Sequence, residues 1–513
     1  MFKDKYFMPS FGDLLFILFT FLILEVIPKY IFSDGSTGWH LACGDYILQH
    51  GSIPRHDFMS YTMPNKEWIP YEWLSDLIMA ITVKIGGLNL LAVFITTIIA
   101  SLFFILYNQI RQAGCNFLLS IIFVVTGGLA SSIHWLARPH IFSYIYILIL
   151  LTILENFYKK QISLNKFLIL SFLTMLVYTN SHPSFLLGIG LILVYLCSCL
   201  LLLILSKPNN RTEYIKLAKG YFFCLLTCLI STLINPYGYK LYTYIFRYLK
   251  GSKILEATQE YESPIFHGQM ATTSVEILLF FLLIGFGLTR KKITLPKFIV
   301  LIIFTHLMLT SVRFIPLFVV AVIPILGILY SDFTFGLNEN TLNSLYLILR
   351  NYFLRLSTSL SDTEKNCNMH LLPILTAVVF SIIAVFNISD SGKPILQCSF
   401  NDKTMPTLTL DYIVKNKLPA NQGFTFDNWG GYIYYKTHLK LFIDDRADFY
   451  GQKHYFQYAY ISLIAKSWNK DLDRLKINWV LFPKNSKLAD FLKESPNWSI
   501  ACEDKASYLF VRK

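Results

Sequence analysis

The sequence predicts an α-helical polytopic membrane protein of about eleven transmembrane helices, with a small C-terminal α/β domain. Three observations predict it. Of 513 residues, 54% are hydrophobic and only 15% charged, against about 25% charged in soluble domains, and the mean hydropathy is +0.49. Apolar runs approaching the ~20 residues that cross a bilayer recur along the chain. Charge is concentrated at one end: residues 389–513 carry 18 Lys/Arg and 13 Asp/Glu, roughly a quarter of that segment, whereas residues 1–388 are about 12% charged. The expected division is therefore a membrane block, 1–388, followed by a water-soluble tail, 389–513. A disordered chain, a collagen-like chain and an ordinary soluble enzyme are excluded.

Eleven spans are expected, at 12–31, 88–108, 117–134, 139–157, 166–181, 184–206, 218–235, 271–289, 296–311, 314–330 and 370–388. The first has no small-residue cleavage site after a short apolar core and reads as an anchor rather than a removed signal peptide. Basic residues in the loops set the orientation, because Lys and Arg are retained on the cytoplasmic side. With Lys3 and Lys5 cytoplasmic, alternate loops hold Arg111; Lys159, Lys160 and Lys166; Lys207, Arg211, Lys216 and Lys219; Arg290, Lys291, Lys292 and Lys297; and Arg350, Arg355 and Lys365. The opposite loops are poorer in Lys and Arg, except 236–270, where Glu256, Glu260 and Glu262 offset them. An odd number of spans places the tail outside the cytoplasm. The expected setting is a bacterial cytoplasmic (inner) membrane. The net charge of +13 reflects these loops and does not imply nucleic acid.

The first outer loop, 33–72, is long for a connection. After Asp34, the residues Trp39, Cys43, Tyr46 and Ile47 share one helical face. They predict an amphipathic helix in the interface plane, with Trp39 at headgroup depth. Asp57, Trp68, Glu72 and Trp73 follow. One reading is an interfacial loop with aromatic anchors. The other makes Asp34, fixed where the first span ends, a base for an acceptor hydroxyl or amine. Other outer junctions carry His134, Arg138 and His140, then Asn180 and His182, then His306 and Arg313. Snorkelling explains one such residue, but less readily a gathering at several junctions. If the spans form one bundle, these groups line one cavity, where Arg138 and Arg313 suit a phosphate because guanidinium forks its oxygens. Glu256, Glu260 and Glu262 read either as a solvated acidic face or as acceptor contacts. Glu25, inside the first span, has no partner evident from the sequence.

In the tail, 423–428, 439–445, 479–483 and 507–512 read as strands, and 454–468 and 486–495 as helices. Asp444, Asp445 and Asp448 surround Arg446. A divalent-cation site is one reading. A turn whose Asp–Arg pair ties strand to loop is favoured, since Arg446 already offsets the charge. No other metal or cofactor is expected. Cys197, Cys199, Cys224 and Cys228 lie in apolar runs and read as buried structural thiols, while Cys398 and Cys502 are candidates for a disulfide if the tail is extracytoplasmic. The sequence has no Walker A, Rossmann, HExxH or GxSxG motif, so nucleotide-driven transport and serine or zinc hydrolysis lack support.

Residues 10–330 resemble the GT-C superfamily of polytopic membrane glycosyltransferases, specifically the bacterial branch related to protein O-mannosyltransferases and the lipid A aminoarabinose transferase. The marks are Asp34 just past the first span, the amphipathic stretch through Gly44, Gly51-Ser52-Ile53-Pro54, Trp68 with Glu72-Trp73-Leu74, and Arg138 at the outer start of the fourth span. The tail's NWGGY and FIDDRADFYG are similar to the C-terminal parts of bacterial membrane proteins of this type. Gly35 departs from the family pattern, which has a second acidic residue there, and this leaves the catalytic pair open. The resemblance implies transfer of a sugar from a polyprenyl-phosphate donor, in contact with membrane lipid, to a glycan, lipid or protein acceptor at the outer face. It implies Asp34 as general base and Arg138 and Arg313 as donor-phosphate ligands, with His40, Asp45, Asp57, Glu72 and His182 as acceptor or donor contacts. Two competing readings remain: a transporter or flippase for a lipid or polysaccharide intermediate, and a non-catalytic scaffold for envelope assembly.

Overall fold

The computed structural model describes residues 9–250, 259–289, 291–331, 344–364 and 370–513. Lys3, Lys5, Glu256, Arg290 and Lys365 lie outside the described residues. Ser10 starts the bundle with a reciprocal cap. Its hydroxyl accepts from Asp13 N–H at 3.1 Å, and Asp13 accepts from Ser10 N–H at 2.8 Å. Helix α1 (Phe11–Phe21) then passes into a π turn at Leu22–Val26 that contains Glu25. Helix α2 (Ser36–His50) belongs to the first outer loop. Helices α3 (Trp73–Gln112), α4 (Phe117–Ser131), α5 (His140–Tyr158), α6 (Leu164–Ser181), α7 (Phe185–Leu205) and α8 (Pro208–Leu233) follow. After the peripheral α9 (Lys240–Leu249) come α10 (Met270–Leu288), α11 (Leu295–Thr310), α12 (Ile315–Leu329), α13 (Ser344–Glu364) and α14 (Leu371–Val385).

Each of the eleven segments expected to span contains a helix. Seven stretches among the described residues are long and apolar enough to cross a membrane: 73–112, 117–134, 140–158, 185–205, 208–233, 270–288 and 312–329. Leu295–Thr310 and Leu371–Val385 are apolar but shorter. Helix α3 extends well before its expected start at 88 and kinks at Gly86 and Gly87. Gly87 has φ 65°, a left-handed conformation that costs an L side chain energy but not glycine. The core between the helices is continuous and rich in aromatics; Tyr107, Phe123, Phe167 and Phe304 are fully buried.

The loops sort to two ends. At one, Asp13 meets His370 at 3.0 Å, Arg111 meets Glu364 at 3.0 Å, and Lys160 meets Glu213 at 2.7 Å. There too Glu155 joins Lys159 and Lys297 at 3.3 and 3.2 Å. At the other end sit the 33–72 loop, the short α4–α5, α6–α7 and α11–α12 junctions, and the tail.

The tail adds α15 (Leu408–Lys415), β1 (Gly423–Thr425), α16 (Gly430–Thr437), the short α17 (Ala447–Tyr450), α18 (Gln452–Ser462) and α19 (Trp468–Arg474). Then come β2 (Trp479–Pro483), α20 (Lys487–Glu494), β3 (Trp498–Glu503) and β4 (Ser507–Arg512). The sheet order is β1-β2-β4-β3, with β1 parallel to β2 and the other pairs antiparallel.

Several local expectations are corrected. Residues 439–445 are not a ladder strand. Leu441 pairs instead with the first outer loop, its N–H donating to Met59 O at 3.0 Å and its carbonyl accepting from Tyr61 N–H at 2.9 Å. The helix expected over 454–468 breaks after Ser462, where Ile464 and Ser467 take φ 59° and 77°. Cys398 and Cys502 are free thiols. Cys398 is buried, and its N–H is bound by Asn89 of α3. Cys197 is exposed, unlike Cys199, Cys224 and Cys228.

Helix α2 is packed inside protein rather than laid against lipid. Residues 36–44 are all buried, because α3 packs on one side and α16 on the other. Gly38 permits the second contact: a Cβ there would collide with the carbonyl of Gly431. Trp39, Cys43, Met59 and Trp68 share one apolar cluster with Phe424, Phe442, Phe449 and Phe510 of the tail.

Candidate functional site

The chain leaves α1 and turns into α2 at Asp34 and Gly35. Asp34 Oδ1 accepts from Ser36 N–H at 2.8 Å, which fixes the carboxylate at the mouth of the bundle. Its Oδ2 accepts from Arg138 Nη1 at 2.8 Å. The backbone around Arg138 is pinned on both sides: Ala137 N–H donates to Ile31 O at 2.9 Å, and Thr37 Oγ1 donates to Ala137 O at 3.0 Å. Pro139 then opens α5.

Arg138 Nη1 also contacts Glu260 Oε1 at 2.5 Å. The other oxygen of Glu260 lies 3.5 Å from Arg313 Nη1. Arg313 Nη1 donates to Tyr261 OH at 2.9 Å, with the guanidinium 5.3 Å above that ring. The Glu260 turn is tied down by Ser311 Oγ donating to Glu260 O at 2.8 Å and by Val312 N–H donating to Glu262 O at 2.9 Å. The result is a string of alternating charges, Asp34–Arg138–Glu260–Arg313, drawn from four separate loops. Burial opposes ionisation of Glu260, but Arg138 and Arg313 prevail and hold its carboxyl well below the usual range. Burial likewise opposes the Arg138 charge, and Glu260 and Asp34 outweigh it.

The tail enters at this point. Ser36 Oγ donates to Asp445 Oδ2, so one serine holds Asp34 through its N–H and Asp445 through its hydroxyl. Asp445 Oδ1 is buried without a hydrogen-bond partner among the described residues. Burial first, then Asp34 and Asp444, push the Asp445 carboxyl well above the usual range. Its neighbours are rigidly held. Arg446 Nε and Nη2 donate to the two oxygens of Asp444 at 2.8 and 2.7 Å, and Nη2 donates to Asp57 Oδ1 at 2.8 Å. The guanidinium lies 4.5 Å from the centre of the Trp68 ring. Asp57 in turn caps its own turn, accepting from Ser60 N–H at 2.8 Å and Ser60 Oγ at 2.6 Å.

A second buried polar group lies against the first. Ser184 N–H donates to His182 Nδ1 at 3.2 Å, which leaves Nε2 to donate to Glu72 Oε1 at 3.3 Å. His40 Nδ1 contacts Asp76 Oδ1 at 2.7 Å and lies 3.9 Å from Glu72 Oε2. Trp73 Nε1 donates to Asn180 Oδ1 at 3.0 Å, which joins the ends of α3 and α6. Burial, then Arg138, keeps His40 neutral, and burial, then Arg313, keeps His182 neutral. Burial pushes Glu72 up to about 8, with Arg138 and Arg313 pulling the other way.

Six of the residues singled out from sequence, Asp34, His40, Glu72, Arg138, His182 and Arg313, thus fall in two adjoining networks at one end of the bundle. Asp45 and Asp57 lie outside both. Asp45 is half-buried near His438 and Lys84, and Asp57 is committed to Arg446. His306 is exposed on α11. His134 and His140 join each other, His140 Nε2 lying 2.9 Å from His134 O. Glu260 is paired to both arginines rather than forming a solvated face. The tail aspartates do not converge on a cation: Arg446 takes Asp444, and Tyr244 OH donates to Asp448 at 2.8 Å. Three carboxylates of the site, Asp76, Glu260 and Asp445, were not singled out as such from sequence; Asp76 lies just inside the amphipathic start of α3. Glu260 was readable only as one of three acidic residues of the 236–270 loop, and Asp445 only as one of the aspartates around Arg446.

No family model matches the sequence, and no curated protein matches it. Solved structures do match. The oligosaccharyltransferase of Archaeoglobus fulgidus in its apo form aligns at TM-score 0.58 and 12% identity, over 92% of this chain and 69% of that one. AglB of the same organism, in complex with an inhibitory peptide and a dolichol-phosphate, aligns at TM-score 0.52 and 12% identity over 92% and 69%. ArnT of Cupriavidus metallidurans bound to undecaprenyl phosphate aligns at TM-score 0.50 and 11% identity over 97% of each chain. At these identities the likeness shows the fold. The chain shares the fold of these proteins, a multi-pass membrane bundle carrying a small sheet-containing unit at its C-terminal end.

Proposed function

We propose that this chain is a glycosyltransferase that moves a sugar from a polyprenyl-phosphate-linked donor to an acceptor at the outer face of a bacterial cytoplasmic membrane. The observation that carries the reading is the string Asp34–Arg138–Glu260–Arg313. It offers two guanidinium groups for a phosphate and one carboxylate for an acceptor within a single partly buried site. The undecaprenyl phosphate and dolichol-phosphate held by two proteins of the same fold support a lipid phosphate as the anion. The basic residues at the opposite end of the bundle support a cytoplasmic N-terminus and an extracytoplasmic tail.

The chemistry follows from what the charges can exchange. In the free site, the carboxylates of Asp34 and Glu260 occupy the arginines. A donor phosphate competes for those forks, since phosphate oxygens accept paired N–H donors as well as carboxylates do. Its arrival frees Asp34 from Arg138 at the moment a substrate is present. Asp34 then removes the proton from an acceptor hydroxyl or amine, the acceptor atom bonds to the sugar's anomeric carbon, and the carbon–oxygen bond to phosphate breaks. The electron pair stays on the phosphate, where Arg138 and Arg313 stabilise it. Glu72 and the neutral His40 and His182 offer hydrogen bonds to the sugar or acceptor.

The test is a glycolipid and glycoprotein profile of cells lacking the chain, complemented at matched expression by wild type, Asp34→Asn or Arg138→Gln. One glycoform lost and restored by wild type alone is expected. Equal rescue by Asp34→Asn would overturn the reading and leave a transporter or a scaffold as the better account.

A further inference from the structure

We infer that Asp445 of the tail is a catalytic residue of this site, a neutral carboxylic acid that donates a hydrogen bond to the departing phosphate oxygen. The inference rests on the glycosyl-phosphate reading above. Three observations carry it. First, Asp445 is delivered to the site and held there. It sits between Asp444 and Arg446, both locked by the buried clamp to Asp57 and Trp68, and its Oδ2 is fixed by the hydroxyl of Ser36. Second, its Oδ1 is buried with no partner among the described residues, although a buried polar oxygen is normally satisfied. A ligand accepting from a protonated Oδ1 would satisfy it. Third, the charges require the proton. Arg138 and Arg313 are already balanced by Asp34 and Glu260. An ionised Asp445 would leave the site net negative before an anionic donor arrived, whereas a neutral one admits the phosphate.

The groups facing Asp445 agree. From the membrane block these are Asp34 and Arg138, and from its own segment Asp444. Two nearby carboxylates oppose its ionisation more than one guanidinium already shared by Asp34 and Glu260 favours it. In the transfer step, the acceptor's proton goes to Asp34 and the bond from the acceptor to the anomeric carbon forms. The bond from that carbon to the phosphate oxygen breaks, with its electron pair left on oxygen. Asp445 keeps its own proton throughout and shares it as a hydrogen bond with that oxygen. Asp34 and Asp445, joined through Ser36, thus divide the work into one base and one acid.

The experiment measures binding of undecaprenyl phosphate to the purified full chain in detergent, across pH 5 to 9, for wild type, Asp445→Asn, Asp445→Ala, Arg138→Gln and Arg313→Gln. Asparagine reproduces the protonated acid, since it accepts from Ser36 and donates through its amide. Asp445→Asn is expected to keep most of the binding, and Asp445→Ala to lose about tenfold. In a Glu72→Gln background, which removes the other site carboxyl that titrates in this range, any loss of binding toward high pH should disappear when Asp445→Asn is added. That comparison stands even if Asp445→Ala does not fold. Asp445→Asn binding as poorly as a folded Asp445→Ala, or keeping that high-pH loss in the Glu72→Gln background, would overturn the assignment. So would Asp445→Ala binding as well as wild type. Unchanged binding by both arginine variants would instead overturn the parent reading.

Discussion

Arg446 is where the tail is fastened to the first outer loop, and Arg446→Ala measures that attachment. The wild-type guanidinium makes three charge-assisted hydrogen bonds of 2.7 to 2.8 Å to Asp444 and Asp57. Its side chain is 2% exposed, and those of both carboxylates are 0% exposed. Alanine leaves two buried carboxylates facing each other without a cation. Breaking a buried ion pair from one side costs about 3–5 kcal/mol, a large share of the ~5–15 kcal/mol that stabilises a typical domain. Lysine should not rescue it, because a point charge cannot fork Asp444 while reaching Asp57. The expected result is a lower amount of folded chain in membranes, a lower melting temperature in detergent, and faster proteolysis at the Ser60–Leu441 junction. A double-mutant cycle with Asp57→Ala should show positive coupling, since the second substitution removes one of the stranded charges. A variant that melts with wild type, or a strictly additive cycle, would refute the claim that this clamp holds the tail in place.

Three further outcomes are expected. Glu72, pushed up to about 8, is favoured in its protonated form by the fold, so its stabilising share is complete below its unfolded value near 4.3 and is lost as pH rises toward 8. The melting temperature should therefore fall more steeply from pH 5 to 9 for wild type than for Glu72→Gln, and parallel curves would refute this. Glu260→Gln removes the anion that competes for Arg138 and Arg313. It should tighten undecaprenyl phosphate binding by roughly tenfold, whereas unchanged affinity would mean that Glu260 and the phosphate do not share those arginines. Gly38→Ala should force α2 and α16 apart at a cost of about 1–3 kcal/mol, detected as protease sensitivity of the tail. A protected tail would show that the backbones have room to adjust.

Most of the helical architecture was legible because the apolar runs are long and bounded by polar loops; even the pairs separated only by Pro139, Pro183 or Arg313 resolved into distinct helices. Hydropathy did not reveal the amphipathic length that α3 adds before Gly87, since a helix half-covered by α2 need not be apolar all round. The tail's β2 and β4 were readable because alternating or continuous apolar residues end at turn residues. The stretch 439–445 carries the same local signal, yet its backbone is satisfied by Met59 and Tyr61. Propensity gave the right extended shape but not the partner, which lies in another part of the chain. The same limit applied to α2, whose apolar face suited a bilayer as well as it suited α16.

The site divides along the same line. Asp34, Arg138 and Arg313 could be singled out because charge next to a membrane span is costly enough to need a reason. Glu260 and Asp445 sit in segments where carboxylates are unremarkable, and only folding places them against those arginines. Once they are there, the sum of charges becomes informative in a way that no single residue is. Two arginines facing Asp34 and Glu260 make a resting site that is neutral and stable without ligand. Adding one ionised aspartate would repel a phosphate, and removing one carboxylate would trap it. Under the proposed function, a site that must both admit a lipid phosphate and release it is served by carboxylates that yield the guanidinium groups and then reclaim them. On the inference drawn for Asp445, the tail adds a third carboxyl group in its neutral form, a hydrogen-bond donor that leaves that balance undisturbed.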